Sequence, residues 1–302
     1  MRTSSRAALF SFAAIFGFSS VLCRPAFAYC RATTCDPTKT SCGDNGHGCY
    51  TKGTPIQWKD GTLQLLVDKA GSATLGISGA DTQKAVESAL STWMSADCPK
   101  GGHPSFTADT ELASGLSAEF NENGPNQNVV TYEDDGWPYE PGAVGKTLLA
   151  FELDTGDMLD ADVVFNSAEF PLAIDPTSSD EIDLEAVLTH EIGHVLGLAH
   201  SDVPGATMQP ETQGFATAAL KTLEADDMAG ICAIYPPASK DSSGGASSRP
   251  ASSSSGDDKD ASTEPGPTSS CTVSGGRATD GAFGTALFVA GVALLRRRRK
   301  TA

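Results

Sequence analysis

The chain has 302 residues, with 38 Asp and Glu against 21 Lys and Arg for a formal net charge of −17, and 39% hydrophobic residues. An acid surplus of this size repels phosphate backbones and excludes nucleic acid as a partner. The length suits one domain with a sizeable core plus appendages.

The first residues read basic, then apolar, then small: Arg2 and Arg6 lead into Ala7 to Leu22, and the segment closes on Ala26-Phe27-Ala28. That order is a secretory signal with an A-x-A cleavage site. Residues 1–28 are therefore expected to leave, and Tyr29 to become the first residue of an exported protein. Cys23 leaves with the signal; Val21 and Leu22 before it are too bulky for a lipoprotein signal. Export places Cys30, Cys35, Cys42, Cys49, Cys98 and Cys232 in an oxidising compartment, where bridges are expected. Six cysteines allow fifteen connectivities, and the sequence does not choose among them.

Residues 29–61 form a Cys-rich arm with four cysteines among turn residues and too few apolar ones for a core of its own. The domain proper is expected over 62–236; residues 29–236 hold 32 Asp and Glu against 9 Lys and Arg, a balance of −23. Thr62 to Val67 alternates as a strand. Asp81 to Met94 sets Ala85, Val86, Ala89, Leu90 and Trp93 at helical spacing, with Asp81 placed to cap the start. Thr147 to Leu153 and Met158 to Phe165 are strands joined by the turn Asp154-Thr155-Gly156-Asp157, an antiparallel hairpin near a sheet edge. Asp180 and Asp183 stand before Leu184, Val187, Leu188, Ile192 and Val195, the pattern of a long helix with acids at its positive end. Leu220 to Tyr235 is a last helix.

The long helix carries His190-Glu191-Ile192-Gly193-His194, followed by Gly197 and His200. Histidines four apart are separated by about 40° around a helix and one turn along it, so both rings can reach one ion. Gly197 has the backbone freedom to end the helix and turn the chain, letting His200 approach from another side. Three protein ligands on a tetrahedral zinc leave one position open for water. Glu191 is the carboxylate the motif places beside that position, as the base for water activated by the metal.

The extended HExxHxxGxxH run resembles the metzincin signature. Ser201 after the third histidine and Ala206-Thr207-Met208-Gln209-Pro210 resemble its matrixin branch, in which a Met-turn passes beneath the metal. The resemblance runs more loosely over Thr62 to Tyr235. It implies an α+β metzincin-like zincin domain: a twisted mixed sheet with an antiparallel edge strand, an active-site helix and a C-terminal helix. It further implies Met208 as the floor of the site and a peptide substrate adding antiparallel to Thr147–Leu153. By the same analogy a specificity pocket is walled near Pro210 to Phe215. The chain departs from the family in two respects. Only His47 and His103 remain outside the motif, so no structural zinc is expected, and no PRCGxPD cysteine switch is present. A cysteine of the arm covering the zinc is an alternative route to latency. Asp154, Asp157, Asp160 and Asp162 could offer oxygens to calcium, or could form a solvated acidic edge.

Residues 237–270 are rich in Ser, Pro, Gly and Asp and cannot bury enough apolar surface to offset the entropy of ordering, so they form a disordered tether. Residues 271–302 hold Cys271, a Gly-rich step, the apolar run Gly281 to Leu295 and the basic cluster Arg296 to Lys300. Basic residues after an apolar run mark the cytoplasmic side of a membrane anchor. The run is short for a span, and a tail helix that stays out of lipid is the alternative. The arrangement resembles MYXO-CTERM sorting tags, which implies processing by sorting machinery near Cys271 and attachment at the cell surface or outer membrane, with release as a further outcome. The expected function is a zinc-dependent endopeptidase acting on extracellular proteins or peptides; the alternative is a non-catalytic zinc-containing surface interaction module.

Overall fold

The alternation at Thr62 becomes β1 (Thr62–Asp68), with Leu63, Leu65 and Val67 buried. The structure, a computed structural model, describes residues 29–43, 49–210, 218–238 and 293–297. The signal segment and most of the tether and tail lie outside those residues. β1 leads into α1 (Gly79–Met94), which begins two residues before the expected start. The cap is Ser78, whose hydroxyl accepts from the Asp81 N–H at 3.1 Å, and Asp81 sits inside the first turn instead. Trp93 at the other end of α1 is fully buried and donates its indole N–H to the Thr189 carbonyl at 2.8 Å. That bond fixes the two long helices against each other.

Five of the eight strands among the described residues escaped the sequence pattern. β2 (Thr107–Ala113) is polar, with no fully buried position, because it is a sheet edge that needs no apolar face. β3 (Val129–Tyr132) has only four residues, too few to show a period. β4 (Gly145–Glu152) and β5 (Met158–Phe165) form the expected antiparallel hairpin, with a register shift between Ala150 and Phe151. Two-residue strands β6 (Leu172–Ala173) and β7 (Ile182–Asp183) precede α2 (Leu184–Val195). The expected last helix arrives in two pieces, a 3-10 turn at Ala218–Lys221 and α3 (Ala225–Ile234). The break falls where the Asp227 carboxylate accepts from the Glu224 N–H at 3.0 Å and starts a new helix.

The final strand, β8 (Ala293–Arg297), completes a six-stranded sheet of order β2-β1-β3-β5-β4-β8. All neighbours run parallel except β4 and β5. β8 pairs with β4 from Leu148↔Ala293 to Glu152↔Arg297, so the tail lines the strand expected to be a free edge. α1 and α2 pack on one face of the sheet, over Leu65, Val130, Leu149, Phe151 and Val163. This mixed sheet with helices on one face is the expected α+β arrangement.

The cysteines choose one of their fifteen pairings: Cys30–Cys49 and Cys35–Cys42 within the arm, and Cys98–Cys232 from the stretch after α1 to α3. Every arm cysteine is consumed, so a thiol reaching over the metal is ruled out as a source of latency. No helix among the described residues is long and apolar enough to cross a membrane.

Candidate active site

α2 begins where Asp183 caps it, the carboxylate accepting from the Glu185 N–H at 3.0 Å and the Ala186 N–H at 3.2 Å. Lys221 pairs with Asp183 at 2.7 Å and Glu185 at 3.3 Å, tying the 3-10 turn to the start of α2. The helix then carries His190, Glu191 and His194 and stops at Leu196. Gly197 has φ +98°, and a Cβ there would lie 2.5 Å from the Ile56 carbonyl, so both the turn and the close approach demand glycine. Beyond it, the chain returns His200 to the same point in space.

The three imidazoles offer ligand atoms that all lie within 4.8 Å of one another. His194 Nε2 and His200 Nε2 are 3.2 Å apart. Two ligands on a tetrahedral zinc with bonds of 2.0–2.1 Å would sit about 3.3 Å apart, so the pair matches a shared ion. His190 donates Nδ1–H to the Thr207 carbonyl at 2.6 Å, and His194 donates Nδ1–H to the Leu198 carbonyl at 2.9 Å. These bonds fix each tautomer and leave Nε2 with a lone pair toward the metal. Burial, then the neighbouring rings, push the His194 pKa well below its ordinary value; burial and His190 take His200 down to about 3. Neutral imidazole is the form a metal requires.

Glu191 is 2% exposed and lies against β4. The Thr147 hydroxyl donates to its Oε2 at 2.6 Å, while a Cβ at Gly145 would come within 3.2 Å of its Oε1. Burial raises the Glu191 pKa, and His190, the Thr147 hydrogen bond and Lys146 act in the opposite direction. The result is a carboxylate held in one rotamer and made more basic than in water, as general-base chemistry needs.

Met208 is 2% exposed, and its sulfur lies under Gly193, where a Cβ would be only 2.2 Å from Sδ. Its turn is pinned by Asp227, which accepts from the Thr207 N–H at 2.7 Å and the Met208 N–H at 3.1 Å. Asp226 accepts from the Ser201 hydroxyl at 2.7 Å, and the Ser201 N–H donates to the Met208 carbonyl at 2.8 Å. α3 thus presents two carboxylates that hold both the floor and the residue after His200.

The structure brings His190, His194 and His200 to one point, with Glu191 on the same helix and Met208, expected from the resemblance, packed under Gly193. It does not gather the four aspartates. Asp154 is exposed in the turn, and Asp157 faces Lys59 at 3.9 Å. Asp160 and Asp162 are buried on the sheet face turned away from α2, next to Leu148 and Ala150 of β4. The histidine triad is the one group of three or more metal-ligating side chains among the described residues. Pro210 is described, but residues 211–215 of the expected pocket wall lie outside the described set. Thr147, Gly145 and Asp227 were not singled out from sequence. Each acts on the site across at least 19 residues of chain, a distance no local pattern encodes.

The Matrixin family profile matches residues 57–236. The chain is 33% identical to human matrix metalloproteinase-20 over 181 residues, 60% of this chain and 32% of that protein. It is 28% identical to human neutrophil collagenase over 200 residues, covering 65% of this chain and 37% of the relative. Similarity to Metalloendoproteinase 1-MMP of Arabidopsis thaliana is 29% over 195 residues, or 63% and 47%. The chain therefore spans less than half the length of each of these relatives.

Proposed function

Since the chain belongs to the matrixin family over residues 57–236, we propose that it is a zinc-dependent endopeptidase that hydrolyses peptide bonds of proteins outside the cytoplasm. The observation that carries this reading is the meeting of three imidazoles next to a buried carboxylate held by Thr147. His190, His194 and His200 would hold the zinc, which when bound acidifies water and polarises a carbonyl. Glu191 accepts the proton of the attacking water at Oε1, the oxygen not engaged by Thr147, and hands it to the departing amine. The Nδ1–H groups of His190 and His194 are committed to carbonyls, which leaves Nε2 of each ring to face the ion.

An extended peptide would pair its main chain with β4, and β8 occupies that strand in parallel orientation. As long as residues 271–302 are retained, substrate entering antiparallel has to take the place of the tail segment. Export is supported by the order of residues 1–28 and by the three disulfides, which suit an oxidising compartment. Residues 271–302 are read as a sorting tag of the MYXO-CTERM type that attaches the protein at the surface, supported by Cys271, the apolar run and the Arg cluster.

The test is hydrolysis of casein and of a quenched peptide library by the purified chain, with and without a chelator. Cleavage abolished by the chelator and restored by zinc is expected. One bound zinc per chain with no cleavage of any peptide would reject the enzyme in favour of a zinc-containing interaction module.

A further inference from the structure

Two main-chain hydrogen bonds join the N-terminal arm to the end of the zinc motif. The Ala32 N–H donates to the Gly197 carbonyl at 2.9 Å, and the Ala199 N–H donates to the Cys30 carbonyl at 2.9 Å. Arg31 and Leu198 thereby face each other in an antiparallel bridge. On the opposite edge, the Ala32 carbonyl accepts from the Ile56 N–H at 2.9 Å and Arg31 Nη2 reaches Gln57 Oε1 at 2.7 Å. Residues 197–199 are therefore held in a short ladder that α2 does not supply.

Those three residues are the link between two zinc ligands. The Leu198 carbonyl fixes the ring of His194 at 2.9 Å, and Ala199 directly precedes His200. Gly230 of α3 closes the other side, since a Cβ there would come within 2.8 Å of Leu198 Cδ2 and 3.1 Å of Tyr29 Cβ. Arm, link and α3 are in contact with no space between them.

The arm has little apolar content of its own, and two disulfides hold it together. Cys30 has two roles: its sulfur is tied to Cys49 and its carbonyl holds Ala199. We propose that the Cys30–Cys49 disulfide makes the arm a positioning element for the metal ligands, pressing residues 30–32 against Gly197–Ala199 so that His194 and His200 keep the geometry that retains zinc. This rests on the zinc site described above. Without the staple, residues 197–199 lose two main-chain partners, and the ligands must be reordered each time the ion binds. Groups that orient metal ligands from behind typically change affinity by about 10–100-fold when removed. Linkage requires the reverse effect as well, so bound zinc tightens the arm. Cys35–Cys42 closes a separate loop of the arm and provides an internal control.

The experiment follows zinc transfer from the full mature chain to a chromophoric chelator. Cys30→Ser/Cys49→Ser is expected to lose zinc about 10–100-fold faster than the native chain, with Cys35→Ser/Cys42→Ser close to native. Saturating zinc is expected to return the activity of the first variant with KM unchanged, which a general folding defect would not allow. Native zinc retention in the first variant, or equal loss in both, overturns the proposal. Hydrogen exchange on the native chain gives a second reading in case the variant does not fold. The Ala32 and Ala199 amides are expected to exchange more slowly with zinc than without, and no difference overturns the proposal. If the native chain holds zinc but cleaves nothing, the peptidase reading fails while the zinc-loss comparison still decides the role of the arm.

Discussion

Gly193→Ala probes the packing beneath the metal. A Cβ at this position would lie 2.2 Å from Met208 Sδ and 2.8 Å from Trp93 Cζ2. Ordinary carbon contacts are about 3.5–4.0 Å, so the sulfur would have to retreat by roughly 1.5 Å. Met208 has little room to do so, because its N–H is held by Asp227 and its carbonyl by Ser201. Overpacking of this kind costs about 1–3 kcal/mol. In a domain of this size that lowers Tm by roughly 2–12 °C. The same shift pulls the Thr207 carbonyl from His190 Nδ1, now at 2.6 Å, so zinc affinity should fall by about 10–100-fold. Thermal unfolding and chelator competition read the two effects separately. Met208→Ala alone should cost about 2–5 kcal/mol. Combined with Gly193→Ala it should cost less than the sum, because the cavity accepts the new methyl group. Strict additivity, or an unchanged Tm for Gly193→Ala, would refute the close contact between helix and Met-turn.

Glu191→Gln should keep zinc content near native and lower kcat by about 10²–10⁴-fold; substantial turnover in this variant would remove Glu191 from its proton-carrying role. A chain ending at residue 238 should show a lower KM with kcat unchanged, because β8 no longer shares the edge of β4 with substrate; an unchanged KM would mean that tail and substrate do not compete. Burial raises the pKa of Asp160 to about 6, and burial with the Asp160 charge raises Asp162 to about 8, against 3.8 unfolded. Both folded values lie above the unfolded one, so the fold binds more protons than the unfolded chain in this window. The stabilisation is complete below about pH 4 and is lost as pH rises through about 6 and about 8. Unfolding free energies of Asp162→Asn from urea titrations should therefore fall less steeply than native between about pH 4 and about pH 8, by up to about 1.4 kcal/mol per pH unit; parallel slopes would contradict the buried pair.

The spacing of His190, His194, Gly197 and His200 made the histidine triad legible, because helical geometry and one flexible glycine dictate where those rings go. β1, α1, β4 and β5 were legible for the same local reasons. β2 and β3 were not, one being a polar edge and the other too short for a period. The supports of the site were also hidden. Asp227 reaches back 19 residues to Met208, and Thr147 reaches 44 residues forward to Glu191. The arm likewise looked from sequence like a stapled appendage, and only the fold places Cys30 and Ala32 on either side of Leu198.

X-ray absorption at the zinc edge of the purified chain most directly tests whether three imidazoles share one metal and leave it a position for chemistry. One zinc per chain is expected, with three imidazole nitrogens at about 2.0 Å and a single oxygen neighbour. A sulfur in the shell, a fourth imidazole, or only two imidazoles would contradict it.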